Sequence, residues 1–136
     1  MYEALTSFIG LLDGGVYGTW HVDKGTDGPE GQPRVFNFPY VEYSRIVSDL
    51  IDEVYRFADE HMEMGLTAYQ CILEASGVSS PEHADAAMLD GRTVMAILMW
   101  AVRGERFCEG LLLGLLKDGC VRRWLERLQE LDGEDA

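Results

Sequence analysis

An arginine-bearing segment between two apolar runs is the part of this sequence best suited to chemistry. Arg103, Arg106 and Glu109 lie within it, directly after the most apolar stretch of the chain. Guanidinium groups bind carboxylates and phosphates through paired hydrogen bonds. On one continuous helix the spacing places Arg103, Arg106 and Gly110 on the same face. The segment therefore predicts a polar cluster that could hold a nucleotide phosphate or a substrate carboxylate.

The same cluster could instead be structural. A buried guanidinium without a partner is costly, so each arginine needs a carboxylate, carbonyl groups or a ligand anion. Arg106 could pair with Glu109, or with Glu42 of the segment Tyr40–Tyr43, and so clamp a strand end to a helix. We favour this internal ion network and keep the anion site, with Arg103 and Arg106 as its cationic groups, as the alternative.

Three aromatic residues extend the candidate site. Trp20, Tyr40 and Tyr43 could form one wall of a pocket beside the arginines. Aromatic side chains with polar tips also lie often at the edge of a core. We therefore favour packing between a β-hairpin and the helices for these residues, and the pocket wall stays open as the alternative.

No set of residues in the sequence predicts catalysis, a metal or a cofactor. Cys108 lies beside the arginines but would need a nearby histidine, and His21, His61 and His83 are scattered along the chain. The histidines also lack an acidic or histidine neighbour at the i, i+4 spacing of helical metal ligands. The phosphate-binding pattern GxxxxGK[ST] is absent.

Length and composition predict one globular domain over residues 1–136. Hydrophobic residues make up 47% of the chain and charged residues 26%, which is typical of a folded domain. The longest charge-free runs have ten residues, whereas a membrane span needs about 20. Three cysteines without a CxxC pair exclude a disulfide framework and, with an N-terminus unlike a secretory signal, predict a cytoplasmic location.

The charge balance bears on partners. The chain has 24 acidic and 11 basic residues and a net charge of −13. Nucleic-acid binders usually carry the opposite sign or a basic stripe, so the balance argues against direct nucleic-acid binding.

The elements that must position the site follow from periodicity and helix-capping residues. Strands are predicted over Val16–Val22 and Arg34–Phe38, with a polar loop between them and Trp20 packed with Phe36 or Phe38 against helices. Ser44, Thr67 with Gln70, and Asp90 are predicted caps. Helices are predicted over 2–12, 45–62, 68–76, 91–103, 105–117 and 120–131, and Tyr40–Tyr43 is predicted to lead into the second of them. The run Val94–Val102 is apolar all round, which predicts a central helix buried on most sides. The predicted apolar faces are Ile46, Val47, Leu50, Ile51, Val54, Tyr55 and Ala58 on helix 45–62, and Val121, Trp124, Leu125 and Leu128 on helix 120–131. The predicted fold class is α+β, mainly helical, with five or six helices on a small antiparallel β-hairpin or sheet.

Three segments resemble a family of short bacterial proteins classed as a domain of unknown function. They are Gly18-Thr19-Trp20, Pro39–Ser44 (PYVEYS), and Arg103–Gly110 (RGERFCEG) followed by Gly119 and Arg122–Leu125. The resemblance spans about residues 5–131. Because no activity is known for that family, it implies an identity and leaves the chemistry open.

These observations support two functional hypotheses. The first is a non-catalytic binding or protein-interaction module in the cytoplasm, in which an exposed apolar patch could support a homodimer. The second is a small enzyme, or the relic of one, that acts on an anionic small molecule. In that case Arg103 and Arg106 would bind the anion and Glu42 or Glu109 would be the general base. A cleft lined by an aromatic residue, an arginine and a carboxylate would favour the second hypothesis.

Overall fold

The computed structural model of the protein describes residues 1–22 and 39–134. Within these ranges the chain forms seven α-helical segments, four short 3-10 turns and a two-stranded antiparallel sheet. This confirms the mainly helical α+β class. In chain order the elements are α1 (Glu3–Thr6), α2 (Phe8–Leu12), β1 (Gly18–His21), β2 (Tyr40–Tyr43), α3 (Arg45–Glu60), α4 (Tyr69–Ala75), α5 (Gly91–Gly104), α6 (Leu111–Lys117) and α7 (Cys120–Glu134).

Helix α5 lies at the centre of the core. It contacts α3, α4, α6 and α7, and its apolar run is buried on all sides, as the sequence predicts. The helix begins at Asp90, whose carboxylate accepts a hydrogen bond from the Thr93 amide at 2.8 Å. This confirms the predicted cap, and the hydrogen bonds from Thr93 hold the pKa of Asp90 below its usual range.

Helices α3 and α7 both pack against α5, and α1 and α2 contact both of them. Both are amphipathic, and each buries one stripe of apolar side chains against α5. The predicted stripe of α7 is confirmed, and α7 runs past residue 131 to Glu134. On α3 the buried set includes Phe57, which the predicted face omitted. The buried residues are Val47, Leu50, Val54 and Phe57 on α3, and Cys120, Val121, Trp124, Leu125 and Leu128 on α7.

The helix expected over 2–12 forms as two segments, α1 and α2, that are separated only at Ser7. Ser7 keeps a right-handed helical conformation, and its hydroxyl donates to the Ala4 carbonyl at 2.8 Å. The predicted capping box at Thr67 and Gln70 does not form. Thr67 lies inside the 3-10 turn Leu66–Ala68, so it does not occupy the cap position of α4.

The sheet differs from the predicted hairpin. β1 pairs with β2 in antiparallel register, with Trp20 opposite Val41. The sequence interpretation assigned Tyr40–Tyr43 to a lead-in for α3. Its alternation of buried Val41 with exposed neighbours is that of an edge strand packed on one face. The predicted strand Arg34–Phe38, with Phe36 and Phe38, lies outside the described residues. Trp20, which the sequence predicts to be buried against helices, is exposed.

The helix predicted over 105–117 is also wrong at its start. α5 ends at Gly104 and α6 begins at Leu111, so residues 105–110 form a non-helical link, here called the connecting segment. Gly110 ends the segment with a φ of +91°, a conformation that side-chain-bearing residues rarely adopt. Consequently Arg103, Arg106 and Gly110 do not share one helical face.

Ser44 occupies the predicted N-cap position of α3, but its side chain does not cap the helix. It precedes α3 with an extended conformation, yet its side chain makes no cap hydrogen bond. Its hydroxyl oxygen is buried and has no hydrogen-bond partner among the described residues.

We therefore expect Ser44→Ala to change the free energy of unfolding by less than about 0.5 kcal/mol, although a working serine cap contributes about 1 kcal/mol. Urea denaturation followed by circular dichroism measures the change. The matched control is Asp90→Ala, which removes a bonded cap and should destabilise by about 1 kcal/mol. If the two variants lost the same free energy of unfolding, the conclusion that the Ser44 side chain does not cap α3 would be wrong.

Candidate functional site

A single carboxylate organises the connecting segment. Glu105 follows the last residue of α5, and its oxygens accept hydrogen bonds from the amides of Gly110 at 2.7 Å and Leu112 at 3.3 Å. These amides belong to the first turn of α6, where backbone donors lack helical partners. The negative charge is also favourable at that end of a helix. Glu105 therefore closes the break between the two helices.

Tyr43 connects the sheet to the same carboxylate. Its hydroxyl donates to Glu105 at 2.5 Å and accepts from the Leu113 amide at 3.1 Å. Burial, together with the hydrogen bond to Glu105 and its charge, raises the pKa of Tyr43 well above its usual value. The hydroxyl is therefore protonated at neutral pH, and it joins the end of β2 to the start of α6.

Glu109 makes a second link between the connecting segment and the sheet. One of its carboxylate oxygens accepts a hydrogen bond from the Val41 amide at 2.9 Å. The side chain is otherwise exposed, and its second oxygen has no hydrogen-bond partner among the described residues. Glu109 thus both holds β2 in place and offers one free acceptor.

These links form one side of a cleft of about 500 Å³, here called the Arg106 cleft. Its apolar wall comes from Ile51 and Tyr55 on α3 and Val102 on α5. The rest of the lining is polar and includes two carboxylates, a tyrosine and a guanidinium. These polar residues are Tyr43, Glu105, Arg106 and Glu109.

The predicted internal ion network is wrong. Arg106 is exposed and forms no ion pair with Glu109 or Glu42, nor any hydrogen bond within residues 1–22 and 39–134. Glu42 instead pairs with His21 at 2.7 Å, outside the residues that line the cleft. The physical reason is the break after Gly104, which replaces the helical i, i+3 geometry expected between Arg106 and Glu109 with an irregular turn.

Arg103 does not line the Arg106 cleft. It is half-buried in the last turn of α5 and has no ion pair or hydrogen bond in the part of the chain that the structure describes. The two arginines of the predicted cluster therefore occupy different surroundings.

The three predicted aromatic residues are also separated. Tyr43 lines the Arg106 cleft, whereas Trp20 and Tyr40 do not. Trp20 lies against Gly110 with 44% of its surface exposed. Tyr40 stacks on His21 with ring centroids 5.0 Å apart, on the face of the sheet opposite to Tyr43.

Sequence reasoning missed four residues of the cleft: Ile51, Tyr55, Val102 and Glu105. Ile51 and Tyr55 carried a usable signal, because they are four residues apart on one face of α3. They were assigned to the core, which they border. Glu105 carried a weaker signal, since it is an acid directly after a glycine that ends a helix.

A second, more polar groove of about 490 Å³ runs beside α7 and includes Arg123 and Arg127. Its arginines are engaged: Arg127 donates to the Leu89 carbonyl at 3.0 Å and to Glu130 at 3.1 Å, and Arg123 donates to the Asp118 carbonyl at 3.4 Å. Arg106 is therefore the more available guanidinium.

The described residues hold no group of three or more histidine, cysteine, aspartate and glutamate side chains placed to bind a metal ion. None of their helices has the length and apolar character of a membrane span.

The fold and cleft define a small, mainly helical α+β domain with an open, amphipathic cleft between its sheet and two helices. Comparison with family models matches residues 19–134 to "Family of unknown function (DUF6508)", so the chain belongs to that family. This confirms the resemblance to a family of unknown function. No curated protein and no solved structure matches the chain significantly.

Proposed function

We propose that the protein is a binding module and that the Arg106 cleft holds a small molecule with an apolar body and an anionic group. The observation that carries this proposal is the guanidinium of Arg106, which lines the cleft without a partner in the described residues. Arginine is well suited to recognise a carboxylate or phosphate. The apolar wall supplies the contact area that small-molecule sites usually have.

The surroundings of the polar groups favour binding over catalysis. A general base needs an available oxygen, but Glu105 already accepts three hydrogen bonds from Tyr43, Gly110 and Leu112. The raised pKa of Tyr43 keeps its hydroxyl protonated, so it is not a base at neutral pH. Glu109 has one free oxygen, and it is the residue through which an enzyme acting on an anionic small molecule would have to work.

The test uses 8-anilinonaphthalene-1-sulfonate, a fluorescent probe that combines an aromatic body with an anionic group. We expect the probe to bind the native protein with enhanced fluorescence, and Arg106→Gln to weaken binding by about tenfold, the effect of losing about 1.4 kcal/mol from a charge-assisted hydrogen bond. Because Arg106 is exposed and unpaired in the described residues, the variant should unfold at the same temperature as the native protein.

The matched control is Arg103→Gln, which makes the same change in charge three residues away and outside the cleft lining. It should leave probe binding unchanged. If both variants weakened binding equally, the effect would be one of net charge, and the assignment of the cleft would be wrong.

A protein-interaction role is the second candidate, and one observation favours it. Phe107 is 87% exposed on the connecting segment, more than any other large apolar side chain of the described residues. A second copy of the chain is one partner that such a residue could contact. On this alternative the probe enhancement would depend on Phe107 and would be unaffected by Arg106→Gln.

A further inference from the structure

We infer that the Arg106 cleft is built for a zwitterion, and specifically for a free α-amino acid with an apolar side chain. This inference rests on the function proposed above and names the ligand class of the same site. It depends on two opposite charges that line one cleft without pairing with each other.

The first charge is the guanidinium of Arg106, whose donors are unused in the described residues. The second is the carboxylate of Glu109, which gives one oxygen to the Val41 amide and keeps the other free. No ion pair joins these two residues within the described part of the chain, so both charged groups are available to a ligand. Exposed groups of opposite charge gain little free energy by pairing with each other, so a ligand does not have to break a strong internal ion pair to reach them.

The two charged groups are placed by different parts of the structure. The hydrogen bond from the Val41 amide ties Glu109 to the sheet, and the break after Gly104 removes the helical spacing expected between Arg106 and Glu109. A ligand that carries a carboxylate and an ammonium group next to each other could bind both groups. Its carboxylate accepts from Arg106 and its ammonium group donates to Glu109.

A simple anion fits this arrangement less well. Glu105 and Glu109 both line the cleft, so a ligand with negative charge alone would face two carboxylates and one guanidinium. The charge of Glu105 is already offset by the hydrogen bonds at the start of α6, whereas the free oxygen of Glu109 is not. A ligand that also carries an ammonium group would form a hydrogen-bonded ion pair with Glu109, which offsets the repulsion between its own carboxylate and Glu109.

The apolar part of the cleft lining favours a ligand with an apolar side chain. Ile51, Tyr55 and Val102 present apolar surface in the cleft and offer no cation. A volume of about 500 Å³ lies within the range of small-molecule sites, about 300–1,000 Å³. Branched aliphatic and aromatic amino acids therefore suit this wall better than charged ones.

The experiment compares three ligands by their dissociation constants, measured from chemical-shift changes in NMR spectra of the native protein. They are L-phenylalanine, 3-phenylpropanoate, which lacks the ammonium group, and 2-phenylethylamine, which lacks the carboxylate. We expect L-phenylalanine to bind at least about tenfold more tightly than either analogue, since each analogue loses one charge-assisted contact. L-Lysine should bind more weakly than L-phenylalanine.

Two variants assign the contacts. Glu109→Gln keeps an oxygen that can accept from the Val41 amide, and it should remove most of the advantage of L-phenylalanine over 3-phenylpropanoate. Arg106→Gln should weaken the binding of both L-phenylalanine and 3-phenylpropanoate and leave the binding of 2-phenylethylamine unchanged. Thermal unfolding of both variants establishes that they are folded.

The outcomes separate this inference from the function on which it rests. If 3-phenylpropanoate binds as tightly as L-phenylalanine while binding of the fluorescent probe still requires Arg106, the inference of a zwitterionic ligand is wrong and the proposed anion-binding function is retained. If the probe does not require Arg106, the proposed function itself fails. If 2-phenylethylamine binds most tightly, Glu109 is the dominant group and the inference is overturned.

Discussion

Glu105→Ala is expected to lower the free energy of unfolding by about 3 kcal/mol, because hydrogen bonds to a charged acceptor contribute about 1.5–3 kcal/mol each and are partly lost together. The alanine leaves the amides of Gly110 and Leu112 without their acceptor and removes the partner of the Tyr43 hydroxyl. These groups are partly buried, so water replaces the lost contacts poorly. Urea denaturation followed by circular dichroism measures the loss.

Two variants calibrate this result. Glu109→Ala removes an exposed carboxylate with one hydrogen bond and should destabilise by about 1 kcal/mol. Tyr43→Phe removes the hydroxyl that links Glu105 to Leu113 and should fall between the two. If Glu105→Ala were no more destabilising than Glu109→Ala, Glu105 would not be the residue that joins α5 to α6.

Gly110→Ala should destabilise the protein by about 3 kcal/mol, through two separate causes. The positive φ of Gly110 costs a residue with a Cβ roughly 1–2 kcal/mol. The added Cβ would also lie 2.9 Å from one carbon of the Trp20 ring and closer still to its neighbour, which forces the ring or the backbone to shift. Thermal or urea unfolding of the variant measures the sum.

A double-mutant cycle with Trp20→Ala divides the two causes. In that background the ring is gone, so Gly110→Ala should cost only about 1 kcal/mol, the part due to backbone conformation. If the cost were the same with and without the ring, Trp20 would not lie against Gly110 as described. The control is Gly114→Ala within α6. A Cβ at this position would meet open space, so the substitution should stabilise the protein slightly.

The helices that could be predicted from the sequence are those whose signal is local. The all-apolar run of α5, its Asp90 cap and the buried stripe of α7 are periodic patterns within single segments, and all three are confirmed. Tyr40–Tyr43 was misassigned because a strand of four residues carries little periodicity. β1 lies within the predicted strand Val16–Val22, but the sequence placed its partner at Arg34–Phe38 and not at Tyr40–Tyr43.

The candidate site was less predictable, because its geometry depends on contacts between distant segments. The sequence drew attention to Arg106, Glu109 and Tyr43, and all three line the cleft. It could not show that Glu105 would be engaged by a tyrosine from another element. Nor did it show that the helix would end at Gly104, next to the residue that this tyrosine contacts.

The anchoring of the sheet by two acids has a consequence for motion. Val41 is the buried residue of β2, and two polar links attach this strand to the connecting segment: one runs from Tyr43 to Glu105 and the other from the Val41 amide to Glu109. Segments held by few apolar contacts open without global unfolding. A molecule seated in the cleft touches the anchors themselves, so its arrival would slow the exchange of the Val41 and Gly110 amide protons with solvent. Occupancy and the docking of the sheet would then be one coupled equilibrium.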